Sequence, residues 1–354
     1  MTAPLKNRDA SLASTEPLTR HTAGSHASPQ HRLIHAQLRE HAKKPLRVMK
    51  FGGTSVADAS CITKVAHIVC DSVRQSHVVV VVSAMSGVTS KLVEMAAQSE
   101  AGNRRQVATI LEELRERHDS VASALIRSTE QRQRLSRKMH QLLQAASILC
   151  EEVLLRRELT PCAHDSITAL GERLSILLVA AALTEQAVAC EAIEATELIV
   201  TDDCHGAAEP LMDLTRERCE ARLRPLLLRS LVPVVTGFIG ATADGVLTTL
   251  GRNSSDYSGT ILGAALDADE VTLWTDVDGI LTADPRMVAD ARSIPEMSYS
   301  QACALAEMGA KVLHPKTLRP IMQRGIPLLI RNTFAPDRPG TKITVAGPCS
   351  SSRS

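Results

Sequence analysis

Short, nearly continuous hydrophobic runs separated by mixed segments characterise the chain after residue 45. The runs are rich in valine and isoleucine and occupy residues 45–51, 77–84, 231–239, 270–277 and 326–333. Strands of this kind are buried on both faces, as in a parallel sheet that helices cover. Segments with helical spacing of apolar residues, such as 57–73 and 258–268, lie between the runs. The alternation predicts an α/β fold with a mainly parallel central sheet.

Residues 101–160 break this rhythm. They contain no strand-like run, and their apolar residues recur three and four positions apart. We expect a helical insertion packed at the edge of the sheet. Its arginine-rich part, residues 127–138, is interpreted as a solvated helix face, with a basic binding patch as the alternative.

The two ends of the chain differ from the rest. Residues 1–45 are rich in Ser, Thr, His and Pro and have little apolar periodicity, which predicts a disordered N-terminal tail. This segment lacks the apolar core of a secretory signal, but it has few acidic residues, so organelle targeting stays open as the alternative. Residues 346–354 are expected to form a short C-terminal tail.

Composition narrows the range of partners. The chain has 40 Lys and Arg against 39 Asp and Glu. A nucleic acid or a membrane surface usually requires a positive excess or a basic face, so neither is expected as a partner. The longest apolar runs, such as the valines at 78–82, are far too short to span a membrane. None of the nine cysteines forms a Cys-x-x-Cys pair, which favours reduced thiols and a cytoplasmic location.

The first candidate for chemistry is the stretch VMKFGGTSVADAS at residues 48–60. Lys50 ends a predicted strand, and Gly52 and Gly53 form the turn that follows it. Glycines can take positive φ angles and let a phosphate approach backbone N–H groups. A Walker loop has its lysine after the glycines, so this is a different arrangement. The alternative is an ordinary structural turn.

Further polar clusters follow the other strands or lie at predicted helix starts. Ser83 and Thr89 follow the second strand, and Glu172 precedes an apolar helix. Thr89 could equally be a helix cap, and Glu172 could be only a partner of the helix dipole. In TLGRNSSDYS, residues 249–258, Arg252 offers a planar fork for a carboxylate or phosphate, whereas Asp256 could be a cap.

Two more clusters lie at residues 273–286 and 308–318, and the second contains Lys311. His314, just before a proline, is interpreted as a structural turn residue. Lysines, glycine turns, an arginine and aspartates that converge on one sheet edge suggest phosphoryl transfer, in which catalysis is mostly positioning and charge neutralisation. These clusters contain no nucleophile–base pair of the Ser–His–Asp type.

The motifs KFGGTSVAD, SAMSGVT, LGERLS, TGFIG, LGRNSSDYS, WTDVDGILTADPR and GAKVLHPKTL stand in the order found in aspartate kinases of the amino-acid kinase family. The resemblance covers residues 46–344, and GRNSSDYS is most similar to the kinase part of bifunctional aspartokinase–homoserine dehydrogenases. It implies a three-layer α-β-α sandwich with a mainly parallel central sheet. It also implies one catalytic domain over 46–345, with an aspartate-binding lobe (46–240) and a nucleotide-binding lobe (241–345).

The resemblance further implies transfer of a phosphoryl group from MgATP to L-aspartate, giving 4-phospho-L-aspartate, the first step toward lysine, threonine and methionine. The attacking carboxylate is already ionised at neutral pH, because its pKa is about 4, so no general base is needed. Mg²⁺ would be held mainly by ATP phosphates and water, without a protein metal site.

Site residues carry over from the same resemblance. Lys50 and Lys311 would neutralise the transferring charge as catalytic residues, and Asp256 would hold them in place. The substrate pocket would comprise Ser83, Thr89, Glu172, Arg252, Asn253, Ser254 and Ser255, with Arg252 at the α-carboxylate and Glu172 at the ammonium group. The nucleotide site would comprise Lys50, Gly52, Gly53, Thr275, Asp276, Leu281, Arg286, Lys311 and Val312, with the two glycines presenting N–H donors.

The chain departs from the family pattern at two site positions. Ser254 stands where glycine is common, which predicts a tighter or strained turn, and Leu281 stands where an aromatic residue is usual. No ACT or dehydrogenase segment follows the kinase part, so we expect no inhibition by lysine or threonine. ACT modules help relatives to dimerise, so without them we expect any homodimer to form through the kinase domain. The alternatives are a small-molecule kinase acting on glutamate or UMP, and a non-catalytic regulatory subunit.

Overall fold

The computed structural model describes residues 44–251, 254–282, 288, 290–307 and 313–347. The expected N-terminal tail, apart from its last two residues, lies outside this part of the chain, as do residues 348–354 of the expected C-terminal tail. Within the described residues the strands are, in chain order, β1 Leu46–Phe51, β2 His77–Val82, β3 Cys190–Ile193, β4 Val200–Thr201, β5 Val232–Thr236, β6 Ile239–Thr242, β7 Leu247–Thr249, β8 Glu270–Thr275, β9 Glu296–Ser298, β10 Leu328–Asn332 and β11 Thr341–Thr344.

Eight of these strands form one large sheet in the order β3-β5-β2-β1-β8-β10-β11-β9. Every neighbouring pair is parallel except β10 and β11, which are antiparallel. All five predicted strands are present, although four of them, β2, β5, β8 and β10, end earlier than the hydrophobic runs did. The prediction of a mainly parallel α/β sheet is therefore confirmed.

Side chains of the central strands alternate between two hydrophobic cores. In β2, Val78, Val80 and Val82 belong to one core, whereas Val79 and Val81 belong to the other. Both cores are closed by helices, which explains why the strand is apolar at successive positions.

Ten α-helices are described. They are α1 Ala59–Val73, α2 Val88–Glu100, α3 Arg104–Leu125, α4 Thr129–Arg156, α5 Pro161–Thr168, α6 Leu170–Glu185, α7 Met212–Leu228, α8 Ser255–Ala265, α9 Tyr299–Glu307 and α10 Pro315–Met322. Helices α1 and α6 cover one face of the sheet, and α7, α8 and α10 form the layer on the other. This arrangement is the expected three-layer sandwich. Several helix starts follow local sequence: the side chains of Asp58 and Thr160 accept hydrogen bonds from the first turns of α1 and α5.

The insertion at 101–160 is helical, as expected, and consists mainly of α3 and α4. These helices pack on each other and on α2 and α6, so they form an additional layer over the helices rather than lying only at the sheet edge. Most of residues 127–138 are exposed, and Arg134 pairs with Glu130 one turn away. This arrangement corresponds to the solvated-face interpretation.

A three-stranded sheet, β4-β6-β7, was not predicted. Strands β6 and β7 form an antiparallel hairpin, and β4 pairs parallel to β6.

Residues 161–185, which include α5 and α6, are long and apolar enough to cross a membrane by length and composition alone. However, 72% of the apolar window is buried inside the protein, because α6 packs against the large sheet. The segment is therefore explained as a core helix.

Candidate active site

A cleft of about 770 Å³ opens at the carboxyl ends of the central strands. Strand β1 is bordered by β2 on one side and by β8 on the other, so connections diverge at this point. Open α/β sheets bind ligands at such a position. Ten of the residues predicted from the sequence line the cleft, namely Lys50, Gly53, Ser83, Thr89, Glu172, Ser254, Ser255, Asp256, Thr275 and Asp276.

Among the described residues, Lys50 is a buried cation that lines the cleft. Its residue is only 5% exposed, and its Nζ lies 2.5 Å from Oδ1 of Asp256. Asp256 is in the first turn of α8, which has no side-chain cap. The Asp256 carboxylate pairs with Lys50 across the site and does not cap the helix.

The glycine turn after β1 is fixed to the neighbouring strands. The N–H of Gly52 donates to the Trp274 carbonyl at 3.1 Å, and the hydroxyls of Ser55 and Thr333 lie 2.7 Å apart. Gly53 has a φ of −61°, so it does not need the left-handed region. A side chain there would instead place its Cβ 3.0 Å from the Ala84 carbonyl oxygen. Of the two glycines, Gly53 is the one whose N–H has no partner among the described residues.

Glu172 lies in the first turn of α6, and its residue is 3% exposed. Its Oε1 accepts a hydrogen bond of 3.0 Å from the Ala84 N–H, while Oε2 is buried without a partner in the described part of the chain. Burial raises the pKa of Glu172 to about 7, and the Ala84 N–H and the charge of Lys50 oppose that rise. A buried acceptor with a free oxygen is suited to a donor supplied by a ligand.

Serine hydroxyls line the wall between Glu172 and Asp256. Ser83 donates to Oγ of Ser255 at 2.8 Å. Ser254 is buried with φ −87° and ψ 6°, and its Oγ has no partner within the described segments. Its backbone is therefore not in the left-handed region. Arg252 and Asn253 of the same turn lie outside the described residues, so the tighter or strained turn stays a prediction. Thr89 lies inside the first turn of α2, whose N-cap is Gly87 without a side-chain cap, so the capping alternative for Thr89 is not found.

The nucleotide side is described only in part. Thr275 and Asp276 lie at the end of β8, with Oγ1 of Thr275 donating to Oδ1 of Asp276 at 3.2 Å. Leu281 forms an isolated bridge with Ser293 and does not line the cleft. Five predicted site residues lie outside the described residues, so their predicted roles are unchanged: Arg252, Asn253, Arg286, Lys311 and Val312. His314 caps α10 by accepting from the Lys316 N–H, in agreement with a structural role.

Sequence reasoning missed several residues at this site. His164, Thr168, Phe238 and Thr249 also line the cleft, and Asp165 lies completely buried beside it. Asp165 stands seven residues before Glu172 but on a different helix, so no helical spacing links the two in the sequence. Its partners come from distant segments, so the sequence alone did not reveal them.

The arrangement favours an anionic ligand beside Lys50 and an amine beside Glu172. Helices α2 and α8 both begin at the cleft, and their N-termini favour negative charge. Among the described residues, no group of three or more His, Cys, Asp and Glu side chains is placed to hold a metal ion.

Comparison with known proteins supports the interpretation of the motifs. The sequence profile of the Amino acid kinase family matches residues 45–332. Lysine-sensitive aspartokinase 3 of Escherichia coli (strain K12) is 35% identical over 296 residues, which cover 84% of this chain and 63% of that protein. The chloroplastic bifunctional aspartokinase/homoserine dehydrogenase 1 of Zea mays is 32% identical over 298 residues, covering 84% of this chain and 32% of the maize protein.

Solved structures give the same result. The crystal structure of E. coli aspartokinase III in complex with aspartate and ADP superposes with a TM-score of 0.78 at 34% identity, covering 85% of this chain and 64% of that chain. The present chain thus spans a little less than two thirds of the length of this relative. The motifs had indicated similarity to aspartate kinases, and these matches confirm it. The profile match extends from β1 to β10 and contains the cleft, and the chain belongs to the amino acid kinase family.

Proposed function

We propose that the protein transfers the γ-phosphoryl group of ATP to the side-chain carboxylate of L-aspartate, giving 4-phospho-L-aspartate and ADP. The observation that carries this proposal is the juxtaposition of two features in one cleft. The buried ammonium group of Lys50, paired with the partly exposed Asp256, is suited to a phosphate. The oxygen of Glu172 that has no partner among the described residues is suited to an ammonium group. The aspartokinase relatives, one solved with aspartate and ADP, support the same assignment.

In this proposal Glu172 binds the substrate ammonium group through Oε2. That pairing favours the ionised carboxylate and so acts against the effect of burial on its pKa. Ser83, Thr89, Ser254 and Ser255 supply hydroxyls around the substrate. Arg252 binds the α-carboxylate as a bidentate fork, and Asn253 lies beside it in sequence.

Lys50 neutralises charge while two anions approach each other. An oxygen of the aspartate carboxylate forms a bond to the γ-phosphorus, and the bond from that phosphorus to the β–γ bridging oxygen breaks, so the electron pair leaves with ADP. No proton moves, because the attacking carboxylate is ionised at neutral pH. Asp256 fixes the lysine ammonium in its buried position, and Lys311 would act with it on the transferring group.

The nucleotide would occupy the β8 side of the cleft, near Thr275 and Asp276. Gly53 is the glycine that can offer an N–H to phosphate, since the Gly52 N–H is already bonded to Trp274. Arg286 and Val312 would complete the proposed site, whereas Leu281 lies outside the lining of the cleft. Mg²⁺ would arrive on the ATP phosphates with water as its other ligands.

The proposal extends to organisation and context. Residues 46–240 would form the aspartate-binding lobe and residues 241–345 the nucleotide-binding lobe. The enzyme would be cytoplasmic, would assemble as a homodimer through the kinase domain, and would serve lysine, threonine and methionine synthesis.

ATP-dependent hydroxamate formation tests the reaction, with L-aspartate, L-glutamate and UMP offered separately and ADP release measured for each. We expect turnover with L-aspartate only, and its loss in Lys50→Ala. The exposed Lys342 on β11 provides the matched control, because Lys342→Ala removes the same charge far from the cleft. Turnover with glutamate or UMP in place of aspartate would favour a related kinase. ATP binding without turnover would favour a regulatory subunit.

A further inference from the structure

A buried aspartate beside the cleft holds together three segments that are distant in sequence. Asp165 on α5 is 0% exposed. Its Oδ2 accepts hydrogen bonds from Nδ1 of His205 at 2.8 Å and from the Gly206 N–H at 3.1 Å. The same oxygen accepts from the Thr249 N–H at 3.1 Å, and Oδ1 accepts from the Thr249 hydroxyl at 2.6 Å.

The residues bound by Asp165 form part of the cleft wall. Gly206 and Thr249 both line the cleft. Thr249 ends β7 and is followed by Leu250, Gly251 and Arg252, the arginine proposed to bind the substrate α-carboxylate. The Ala208 N–H donates to the Thr249 carbonyl at 2.9 Å, so the 202–210 loop and the end of β7 are joined directly as well.

A carboxylate is the side chain that suits this position. It offers acceptor sites on both oxygens, and here four donors converge on them. An asparagine would direct its NH₂ group toward donors on one side and would leave at least one of them unpaired. A buried N–H or O–H without an acceptor is costly, and the surrounding segments would shift to satisfy it.

We infer that Asp165 is a positioning residue for the acceptor substrate: it fixes Thr249 at the end of β7, and with it the cleft wall at Gly206 and Thr249, relative to Glu172. His205 holds the facing 202–210 loop in the same network. The inference rests on the proposed function, because it takes the segment after Thr249 to bind the substrate. Asp165 does not itself line the cleft, so it acts through Thr249 and Gly206.

Steady-state kinetics with both substrates varied tests this role. Asp165→Asn is expected to raise the KM for L-aspartate about tenfold or more and to leave the KM for ATP within about twofold. His205→Phe and Thr249→Val each remove one part of the network and should shift the KM for L-aspartate in the same direction by less. His205→Asn, which can still donate to Asp165, should restore most of the affinity.

The chain provides a matched control in Asp119. That carboxylate also pairs with a histidine and a serine hydroxyl, His140 at 2.9 Å and Ser136 at 2.9 Å, but it lies on α3, away from the cleft. Asp119→Asn should change the melting temperature without changing either KM. Equal rises in both KM values for Asp165→Asn, or a lowered melting temperature with unchanged KM values, would overturn the inference.

Two further outcomes are decisive. If Asp165→Asn does not fold, an unchanged KM for L-aspartate in His205→Phe overturns the positioning role. If the wild-type protein does not phosphorylate L-aspartate, the proposed function fails. The positioning role is then judged on the KM of whichever acceptor is phosphorylated, or on the calorimetric Kd of L-aspartate when no acceptor reacts.

Discussion

The side-chain amine of Lys50, on the central strand β1, lies 2.5 Å from a carboxylate oxygen of Asp256, in the first turn of α8. The lysine is almost completely buried, whereas the aspartate is partly exposed toward the cleft. Lys50 therefore places a fixed ammonium group at the floor of the cleft. The carboxylate of Asp256 that pairs with it is partly accessible to solvent.

Breaking this pair should affect stability as well as activity. We expect Asp256→Ala to destabilise the fold by about 2 kcal/mol, because it leaves a buried ammonium group without its partner. The double variant Lys50→Met/Asp256→Ala should be more stable than Asp256→Ala, since methionine fills the space without a charge. Urea unfolding of the wild type, both single variants and the double variant gives the coupling energy. A coupling energy near zero would refute the stabilising role of the pair.

Glu172 should make substrate binding depend on pH. Its pKa of about 7 means that protonation near neutrality removes the charge proposed to bind the substrate ammonium group. We therefore expect the KM for L-aspartate to rise as pH falls below about 7, while the KM for ATP changes little. A KM for L-aspartate that stays constant between pH 8 and pH 6 would contradict this role.

The same residue should limit stability. Because the folded-state pKa lies above the ordinary value of 4.5, the folded protein binds this proton more tightly than the unfolded chain does. Stability is lost as pH rises from about 4.5 through about 7, by roughly 3 kcal/mol at most. Glu172→Gln should therefore raise the melting temperature at pH 8 and have little effect at pH 4. Glu152→Gln, at an exposed position on α4, serves as the control.

Gly171 permits the close approach that places Glu172. A Cβ at this position would lie 2.6 Å from Cβ of Ala84 and 3.2 Å from Cγ1 of Val88. Gly171→Ala should destabilise the protein by about 1 to 3 kcal/mol and raise the KM for L-aspartate, because Ala84 also donates its N–H to Glu172. The double variant Gly171→Ala/Ala84→Gly removes the clashing methyl group and should recover most of both losses. No recovery in the double variant would mean that Ala84 is not the obstacle.

His118 should make the fold sensitive to acid. Its side chain is completely buried in α3, with Nδ1 donating to the Leu114 carbonyl at 2.6 Å and Nε2 without a partner among the described residues. Burial lowers the pKa of His118, so the unfolded chain binds the proton more readily than the folded protein. The free energy of unfolding should fall as pH drops below about 6.5.

His118→Phe should flatten that dependence. Equal slopes for the wild type and His118→Phe between pH 7 and pH 5 would exclude His118 as the source.

The large sheet was predictable because its strands are apolar at successive positions. The valines of β2 pack alternately into two cores, so each of these positions must be apolar, and the sequence shows this as an unbroken hydrophobic run. Strands β4 and β7 have two and three residues, too few for a period to appear. Both strands pair with β6, and the hydroxyls of Thr201 on β4 and Thr248 on β7 lie 2.7 Å apart, a contact that only the folded chain brings together.

The candidate site also contains residues that the sequence predicts and residues that it does not. Lys50, Glu172 and Asp256 stand in motifs whose residue types indicate charge, so their chemistry could be predicted. The role of Asp165 could not, because its donors lie 40 and 84 residues away in sequence. Ser254 shows a different limit: a serine where glycine is common predicted a tighter or strained turn, and the angles of Ser254 itself, φ −87° and ψ 6°, show only that this position does not require glycine.

Strand β1 lies in the interior of the large sheet, hydrogen-bonded on both edges and covered on both faces. Backbone in such a position opens only when the whole domain unfolds. In the proposed reaction Lys50 is consequently the stationary member of the site, and the movements that would admit and release a nucleotide fall to the connecting segments around the rim. Changes in those segments would then alter the proposed turnover rate while the strand and its lysine stay as they are.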